Sequence, residues 1–434
     1  MAMQAPKGTE DLIGGKSLAW ERMQETARDV FGRYGYEFMS TPLFENTEVF
    51  VRGIGEATDV VGKEMFHVLS NDSFAKVSAG ERLDAAHDFS LRPEGTAGVV
   101  RAAMEHNLAT PDGPVAKLVY AGPMFRAERP QKGRLRQFHQ IGAECLGAPE
   151  PTADAEMIIM LLRFFEAMGV NMADTRLLIN SMGDDACRPA YRDAVRDYIL
   201  EHSDELCDEC KRRAETNPLR AFDCKNEACH EVMEGAPKIS DALCDDCKEH
   251  YAAVKRYLDL AGVEYEEDPR LVRGLDYYTR TVFEVQVVEG LGSQNAIGGG
   301  GRYDKLMESM GGKSVPGIGF ALGYERTLLA MEAAGVELGG GSACDVYVAV
   351  VDATSCGDAA FGIVQQLRDA GVRAEQDHQG RSLKSQFKQA GKMGAATVVV
   401  VGPDELAEGK VTIRDMETRE ERAVAVDEVA AELA

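Results

Sequence analysis

The run from Met124 to Glu144 limits the fold of this chain more than any other segment. Two stretches of alternating polar and apolar residues flank Arg126-Ala127-Glu128-Arg129-Pro130-Gln131-Lys132-Gly133-Arg134-Leu135-Arg136. Alternation marks pleated strands, and Pro130 and Gly133 break any regular structure between them. The run therefore reads as two strands joined by a long basic loop. Five cations, Arg126, Arg129, Lys132, Arg134 and Arg136, face a single acid, Glu128. Arginines at the strand ends would point into a shared cleft. There the planar guanidinium fork, with two donors in one direction, suits the oxygens of a phosphate.

The chain as a whole has the opposite charge. It carries 48 Lys and Arg against 72 Asp and Glu, a net −24. That excludes a general nucleic-acid binder, which needs cations along its whole contact, but it leaves room for local basic patches. A second patch runs from Arg373 to Lys392, with Arg373, Arg381, Lys384, Lys388 and Lys392 against Glu375 and Asp377. It reads either as a solvated face or as a phosphate contact. A length of 434 residues allows two to four domains. The longest apolar run, near Ala396 to Val401, is too short to cross a bilayer. The opening MAMQAPKGTEDL lacks the apolar core of a signal peptide. The expectation is a cytoplasmic protein, which suits ten cysteines that are reduced or metal-bound.

Periodicity places several elements. Ser17 to Tyr34 puts Met23, Ala27, Val30, Phe31 and Tyr34 on one helical face, with Gly35 as terminator. Asp154 to Met168 repeats the pattern, with Asp154 as N-cap and Gly169 as terminator. Thr281 to Val288 alternates as a strand. Gly339-Gly340-Gly341-Ser342 is a flexible linker. Beyond it, Asp345 to Val351 and Ala396 to Val401 read as strands, and Ala359 to Ala370 and Ser382 to Lys392 as helices. This alternation implies a small sheet with parallel strands covered by helices. Between the strand-like flanks Arg176 to Met182 and Leu271 to Val288 lies a segment rich in Cys, Asp, Glu and Lys, which reads as a compact insertion. The domains expected are 1–183 with 259–338, an insertion at 184–258, and a last domain at 343–434.

Two glycine-lysine-serine strings, Gly14 to Ser17 and Gly311 to Ser314, fail as phosphate loops because Glu10 and Met307 stand where the earlier glycine is needed. The run Gly298 to Gly301 does not open a βαβ unit. Six cysteines crowd between Cys207 and Cys247, while Cys145, Cys187, Cys344 and Cys356 read as ordinary small apolar residues. The pairs Cys207-x-x-Cys210 and Cys244-x-x-Cys247 have zinc-knuckle spacing and give a candidate structural Zn²⁺ at about one ion per chain. The gap from 211 to 243 is long, and Cys224, Cys229 and His230 leave the ligand set open; free thiols are the alternative.

The Met124 to Glu144 run resembles the second signature motif of class II aminoacyl-tRNA synthetases, in the form used by the histidyl-tRNA synthetase family. Leu91-Arg92-Pro93-Glu94-Gly95-Thr96 resembles that family's substrate-ammonium motif. Leu271-Val272-Arg273-Gly274-Leu275-Asp276-Tyr277-Tyr278-Thr279 and Gly299-Gly300-Gly301-Arg302-Tyr303-Asp304 resemble its two histidine blocks. Gly319-Phe320-Ala321-Leu322-Gly323-Tyr324-Glu325-Arg326 resembles the third class signature. Thr58 to Met65 and Lys7 to Asp11 also fit, so the resemblance covers nearly the whole chain in order. Neither the His-Gly-His type signature nor the KMSKS loop of the other synthetase class is present.

The resemblance implies an α+β catalytic domain, an antiparallel sheet flanked by helices, with a helical, Cys-rich insertion and a C-terminal α/β anticodon-binding-like domain. It implies a ligase that uses ATP with Mg²⁺ to join L-histidine to tRNA(His) in protein biosynthesis, working as a homodimer with Ser17 to Phe50 near the interface. Arg126 and Arg273 would be catalytic at the α-phosphate. Arg134 and Arg326 would hold the β/γ end, and Glu128 belongs to the same ATP site. Glu94, Thr96 and Gln140 would hold the α-ammonium; Glu144 and Tyr278 would read the imidazole, with Tyr277 beside them. The loop residues Arg129 and Gln131 would reach the tRNA acceptor end, and Arg373 to Lys392 its phosphates. His139 is assigned no role, since its strand neighbours face the other way. The nearest rival is a non-catalytic regulatory subunit of histidine biosynthesis, which resembles these enzymes without the tail. Arg126, Arg273 and Arg326 together with a full tail favour the enzyme. A class II enzyme for another amino acid is disfavoured by the Arg273 to Thr279 block.

Overall fold

The computed structural model describes residues 3–434 apart from 57, 85, 132, 225, 273–276, 289–294 and 337–343, and only the backbone of Asp223. The chain divides into two compact units, one up to Leu338 and one from Gly339.

The first unit is built on an eight-stranded sheet. Its strands are β1 (Glu37–Phe38), β2 (Ala116–Phe125), β3 (Gln137–Leu146), β4 (Thr175–Ser181), β5 (Glu266–Glu267), β6 (Thr279–Val287), β7 (Ala296–Arg302) and β8 (Gly317–Gly323). They are ordered β1-β2-β3-β8-β7-β6-β4-β5. The edge pairs β1 with β2 and β4 with β5 are parallel, and the centre is antiparallel. β2 and β3 are the two expected strands of the basic hairpin, registered from Ala116↔Leu146 to Phe125↔Gln137. Helices α1 (Gly15–Gly32) and α3 (Pro151–Met168) pack on one face through Met23, Ala27, Val30, Phe31, Ile158, Leu161, Phe164 and Phe165, all buried. Each large side chain so buried contributes about 1.5–3 kcal/mol. Between them in sequence, α2 (Thr96–Glu105) starts at the expected ammonium motif.

Gly169 ends α3 in the left-handed conformation, φ 85°, as expected. Asp154 is not the N-cap of that helix. The helix begins at Pro151, and Asp154 lies buried in its first turn, paired with Arg302 and His250. A carboxylate that can neutralise a buried guanidinium is held inside instead of at the end. The glycine run of β7 also has a packing cause. A Cβ on Gly300 would lie 1.9 Å from the Gly319 carbonyl oxygen, so only glycine lets β7 approach β8.

The Cys-rich segment leaves β4 and returns to β5, which pairs with one edge of β4 before β6 pairs with the other, as an insertion should. It forms α4 (Arg188–Glu201), α5 (Asp208–Thr216), α6 (Glu227–Met233) and α7 (Asp245–Leu260). Val254 and Leu258 of α7 pack into the core of the sheet, so the helix runs through the expected boundary at 258. The last helix of the unit is α8 (Tyr324–Ala333).

In the second unit, β9 (Val346–Val350), β10 (Ala374–Gln376), β11 (Thr397–Val401), β12 (Lys410–Asp415) and β13 (Glu421–Ala425) lie in the order β10-β9-β11-β12-β13. The first three are parallel, as the strand–helix alternation of α9 (Ala353–Asp369) and α10 (Leu383–Met393) requires. β12 and β13 add an antiparallel hairpin beyond the strand–helix alternation. Among the described residues, no helix is long and apolar enough to cross a membrane.

Candidate active site

The site begins where α2 meets the sheet. Glu94 caps the helix: Oε2 accepts from the Thr96 N–H at 2.7 Å and Oε1 from the Ala97 N–H at 2.9 Å, at the end of the helix that favours negative charge. Arg92 is buried, donating to the Pro123 carbonyl at 2.9 Å and Thr41 Oγ1 at 3.0 Å, which clamps the motif onto β2. The glycine between has a steric reason. A Cβ on Gly95 or on Gly142 would lie 2.2 Å from Tyr120, whose ring fills the space between the two backbones.

Glu144 lies near the C-terminal end of β3 and is fully buried. Its Oε1 accepts from the Thr96 hydroxyl at 2.7 Å, and its Oε2 from the Tyr303 hydroxyl. Burial pushes its pKa from the ordinary 4.5 up to about 8, against the pull of these two hydrogen bonds. Gln140, on the same strand and face, has a buried side-chain oxygen without a hydrogen-bond partner among the described residues. The Tyr277 ring lies tilted against Tyr278 at 4.6 Å and edge-to-face with Tyr303 at 5.6 Å between centroids, and burial keeps the Tyr277 and Tyr303 phenols protonated.

The other end of the pocket is cationic. Arg126 Nε donates to the Pro93 carbonyl at 3.0 Å, and the guanidinium lies 5.2 Å over the Phe138 ring. Among the described residues it has no ion pair. Arg134 pairs with Glu128 at 2.8 Å. Arg326, in the first turn of α8, donates to the Gly133 carbonyl at 3.2 Å and the Ala296 carbonyl at 3.0 Å. Burial, and then the neighbouring Arg134, lower the Arg326 pKa, so an anion entering here relieves crowding among cations.

These groups gather around one cavity of about 230 Å³. Glu94, Thr96, Arg126, Glu128, Arg134, Gln140, Tyr277, Tyr278 and Arg326, all expected from the sequence, line it. Glu144 lies behind the wall and reaches it through Thr96 and Tyr303. Arg273 lies outside the described residues. Sequence reasoning gives no role to Tyr303, Phe138 or Glu284, which also line the cavity. Tyr303 stands in the second histidine block, two residues from the glycine run, and that is its only signal. His139 is structural, as expected: its N–H donates to Glu325 at 3.0 Å, and its ring lies 5.1 Å from Trp20.

The cysteine pattern needs correction. The two Cys-x-x-Cys pairs do not share a site. Cys207 and Cys210 cluster with Cys224 and Cys229, while Cys244 and Cys247 cluster with Cys187 and Asp184. Spacing along the chain pairs the knuckles, but the return of α7 to the sheet carries the second one to the neck of the insertion. There it meets Cys187, which in the sequence reads as an apolar filler.

An antiparallel sheet with a basic hairpin loop, an arginine on the helix after the last strand and a buried polar pocket between them define a class II aminoacyl-tRNA synthetase catalytic domain. The family model for histidyl-tRNA synthetase matches residues 8–327, and that for the anticodon binding domain matches residues 345–434. The histidine--tRNA ligase of Halothermothrix orenii is 45% identical over 421 residues, covering 97% of this chain and 96% of that protein. That of Moorella thermoacetica is 46% identical over 424 residues, covering 98% and 96%. The structure of apo S. aureus histidyl-tRNA synthetase superposes with a TM-score of 0.81 at 33% identity, each chain covered in full. The chain belongs to the histidyl-tRNA synthetase family.

Proposed function

We propose that the pocket forms histidyl-adenylate from L-histidine and the Mg²⁺ complex of ATP, and that the adenylate then acylates the 3′ end of tRNA(His), releasing AMP. The chain is a histidine--tRNA ligase. The observation that carries the finer reading is the division of one cavity into a buried polar half and a cationic half.

The histidine carboxylate is ionised at neutral pH and needs no general base. It attacks the α-phosphorus, the bond to the bridging oxygen breaks, and pyrophosphate leaves with the electron pair. Negative charge grows on the α-phosphate and on the leaving group, and fixed cations in a water-poor cleft stabilise it. Arg126, held by Pro93 and Phe138, is placed for the α-phosphate; Arg273 is proposed beside it on family resemblance. Arg134 and Arg326 serve the pyrophosphate end. Glu128 keeps Arg134 in place, and Mg²⁺ arrives with the nucleotide.

Glu94, Thr96 and Gln140 receive the α-ammonium, and the unpartnered Gln140 oxygen is the acceptor most in need of it. Glu144 reads the imidazole through Tyr303: the hydroxyl that donates to Glu144 accepts the ring N–H, and Tyr278 serves the other ring nitrogen, with Tyr277 packing against it. A site that hydrogen-bonds its substrate in this way rejects analogues lacking those groups by roughly 10⁴–10⁵.

Residues 1–183 with 259–338 act as the catalytic domain, 184–258 as the insertion near the acceptor arm, and 343–434 as the anticodon reader. Arg129 and Gln131 approach the acceptor end. The enzyme works in the cytoplasm as a homodimer, with Ser17 to Phe50 near the interface. A two-step assay tests this reading. Enzyme, MgATP and labelled histidine are mixed without tRNA and then chased with tRNA. The label is expected to move to the tRNA 3′ end in a single turnover. Pyrophosphate release with no label on tRNA contradicts the transfer step.

A further inference from the structure

We propose that the insertion holds two separate structural zinc ions, one in each cysteine cluster. Cys207, Cys210, Cys224 and Cys229 bring four sulfurs within 4.8 Å of one another, and Asp184, Cys187, Cys244 and Cys247 bring three sulfurs and a carboxylate oxygen together in the same way. Tetrahedral zinc with bonds of about 2.3 Å to sulfur sets its sulfurs about 3.8 Å apart. Cys207 and Cys224 lie 3.8 Å apart, and Cys187 and Cys247 3.9 Å apart. A disulfide needs about 2.05 Å, so these are not bridges. Each quartet is closed, which is the mark of a structural site instead of a catalytic one.

The local chemistry suits thiolates. Cys207, Cys244 and Cys187 are the N-caps of α5, α7 and α4, where the helix end favours negative charge. The Cys207 N–H points at the Cys229 sulfur and the Asp184 N–H at the Cys187 sulfur, both at 3.3 Å. The second quartet has its own counter-charge, Arg280, 3.5 Å from Asp184 Oδ2. Soft sulfur donors select zinc over the hard cations that ATP brings.

Two sites also answer a stability need. α5 and α6 have 9 and 7 residues. Helices this short do not persist alone in water, and a metal staple fixes them to their neighbours. The first ion would close the far end of the insertion on itself. The second would pin its neck, joining the segment after β4 to the start of α7.

Elemental analysis of the full chain, purified without chelator, tests this. Two zinc ions per chain are expected, with one in Cys210→Ser, one in Cys247→Ser and none in the double variant. If a serine variant does not fold, the wild type is titrated with a mercurial thiol reagent while a chromophoric chelator reports released zinc; two equivalents are expected as the clustered thiols react. One or no zinc per chain, iron in place of zinc, or a disulfide between these cysteines in non-reducing mass analysis overturns the proposal.

Discussion

The Thr96 hydroxyl donates a 2.7 Å hydrogen bond to Glu144 Oε1, joining the start of α2 to the C-terminal part of β3 behind the pocket wall. Thr96→Val keeps the shape and removes the donor. Leaving a buried oxygen unsatisfied costs about 1–3 kcal/mol. The expected result is a KM for histidine raised about tenfold or more in pyrophosphate exchange, with the KM for ATP little changed. An unchanged histidine KM would separate Glu144 from substrate recognition.

Burial pushes the Glu144 pKa from 4.5 up to about 8, which brings its titration into the physiological range. As a carboxylate it holds the Thr96 and Tyr303 hydroxyls at the pocket wall more tightly than as the neutral acid. The kcat/KM for histidine should therefore rise with pH and bend near 8, and Glu144→Gln should lose that bend. The same shift acts on stability with the opposite slope. The folded state binds the extra proton, so the contribution of this group is full at low pH and declines as pH rises from 4.5 to about 8. Glu94 behind it and the Thr96 and Tyr303 hydroxyls on it modulate the shift that burial sets. Thermal melts across this range, compared between wild type and Glu144→Gln, check the sign.

Arg126 is predicted to dominate activation. Arg126→Ala should lower the exchange rate about 10²–10³-fold, the usual loss for one preorganised charge donor. Arg126→Lys should rescue little, because an ammonium cannot both donate to Pro93 and lie flat over Phe138. Full rescue by lysine would mean that only net charge matters there.

Gly319 is tight against the same carboxylate: a Cβ there would lie 1.7 Å from Glu144 Oε2. Gly319→Ala should destabilise the fold by about 1–3 kcal/mol through overpacking and weaken histidine binding with it. Calorimetry together with histidine titration reads both.

On α10, Lys384, Lys388 and Lys392 are exposed at four-residue spacing, with no ion pair among the described residues, whereas Arg373 pairs with Asp345 and Arg381 with Asp377. Replacing the three lysines by alanine should weaken tRNA binding and flatten its salt dependence by about 0.7–0.9 log units for each phosphate no longer neutralised. Exchange without tRNA should not change. Equal tRNA affinity in the variant would assign this face to solvent.

Strand alternation and the Pro-Gly loop made the hairpin and its cleft-facing arginines legible, whereas Glu94, Thr96, Gln140, Glu144 and Tyr278 were legible only through the family resemblance. The pattern could not reveal that Tyr303 holds Glu144, because that bond joins strands separated by the whole insertion. The same blindness explains Asp154, whose cap-like position conceals a buried partner in Arg302, and the knuckles, which chain spacing pairs and the fold separates. In the hairpin of β12 and β13, Val411 and Ile413 are buried and alternate with Lys410, Thr412 and Arg414, a period-2 signal that the strand–helix alternation of the tail overshadows.

ATP–pyrophosphate exchange run separately with each of the twenty amino acids tests the central claim most directly. Histidine alone is expected to drive exchange, and Arg126→Ala and Arg273→Ala are each expected to suppress it. Exchange driven by another amino acid, or none with histidine from a folded, ATP-binding enzyme, would contradict the account.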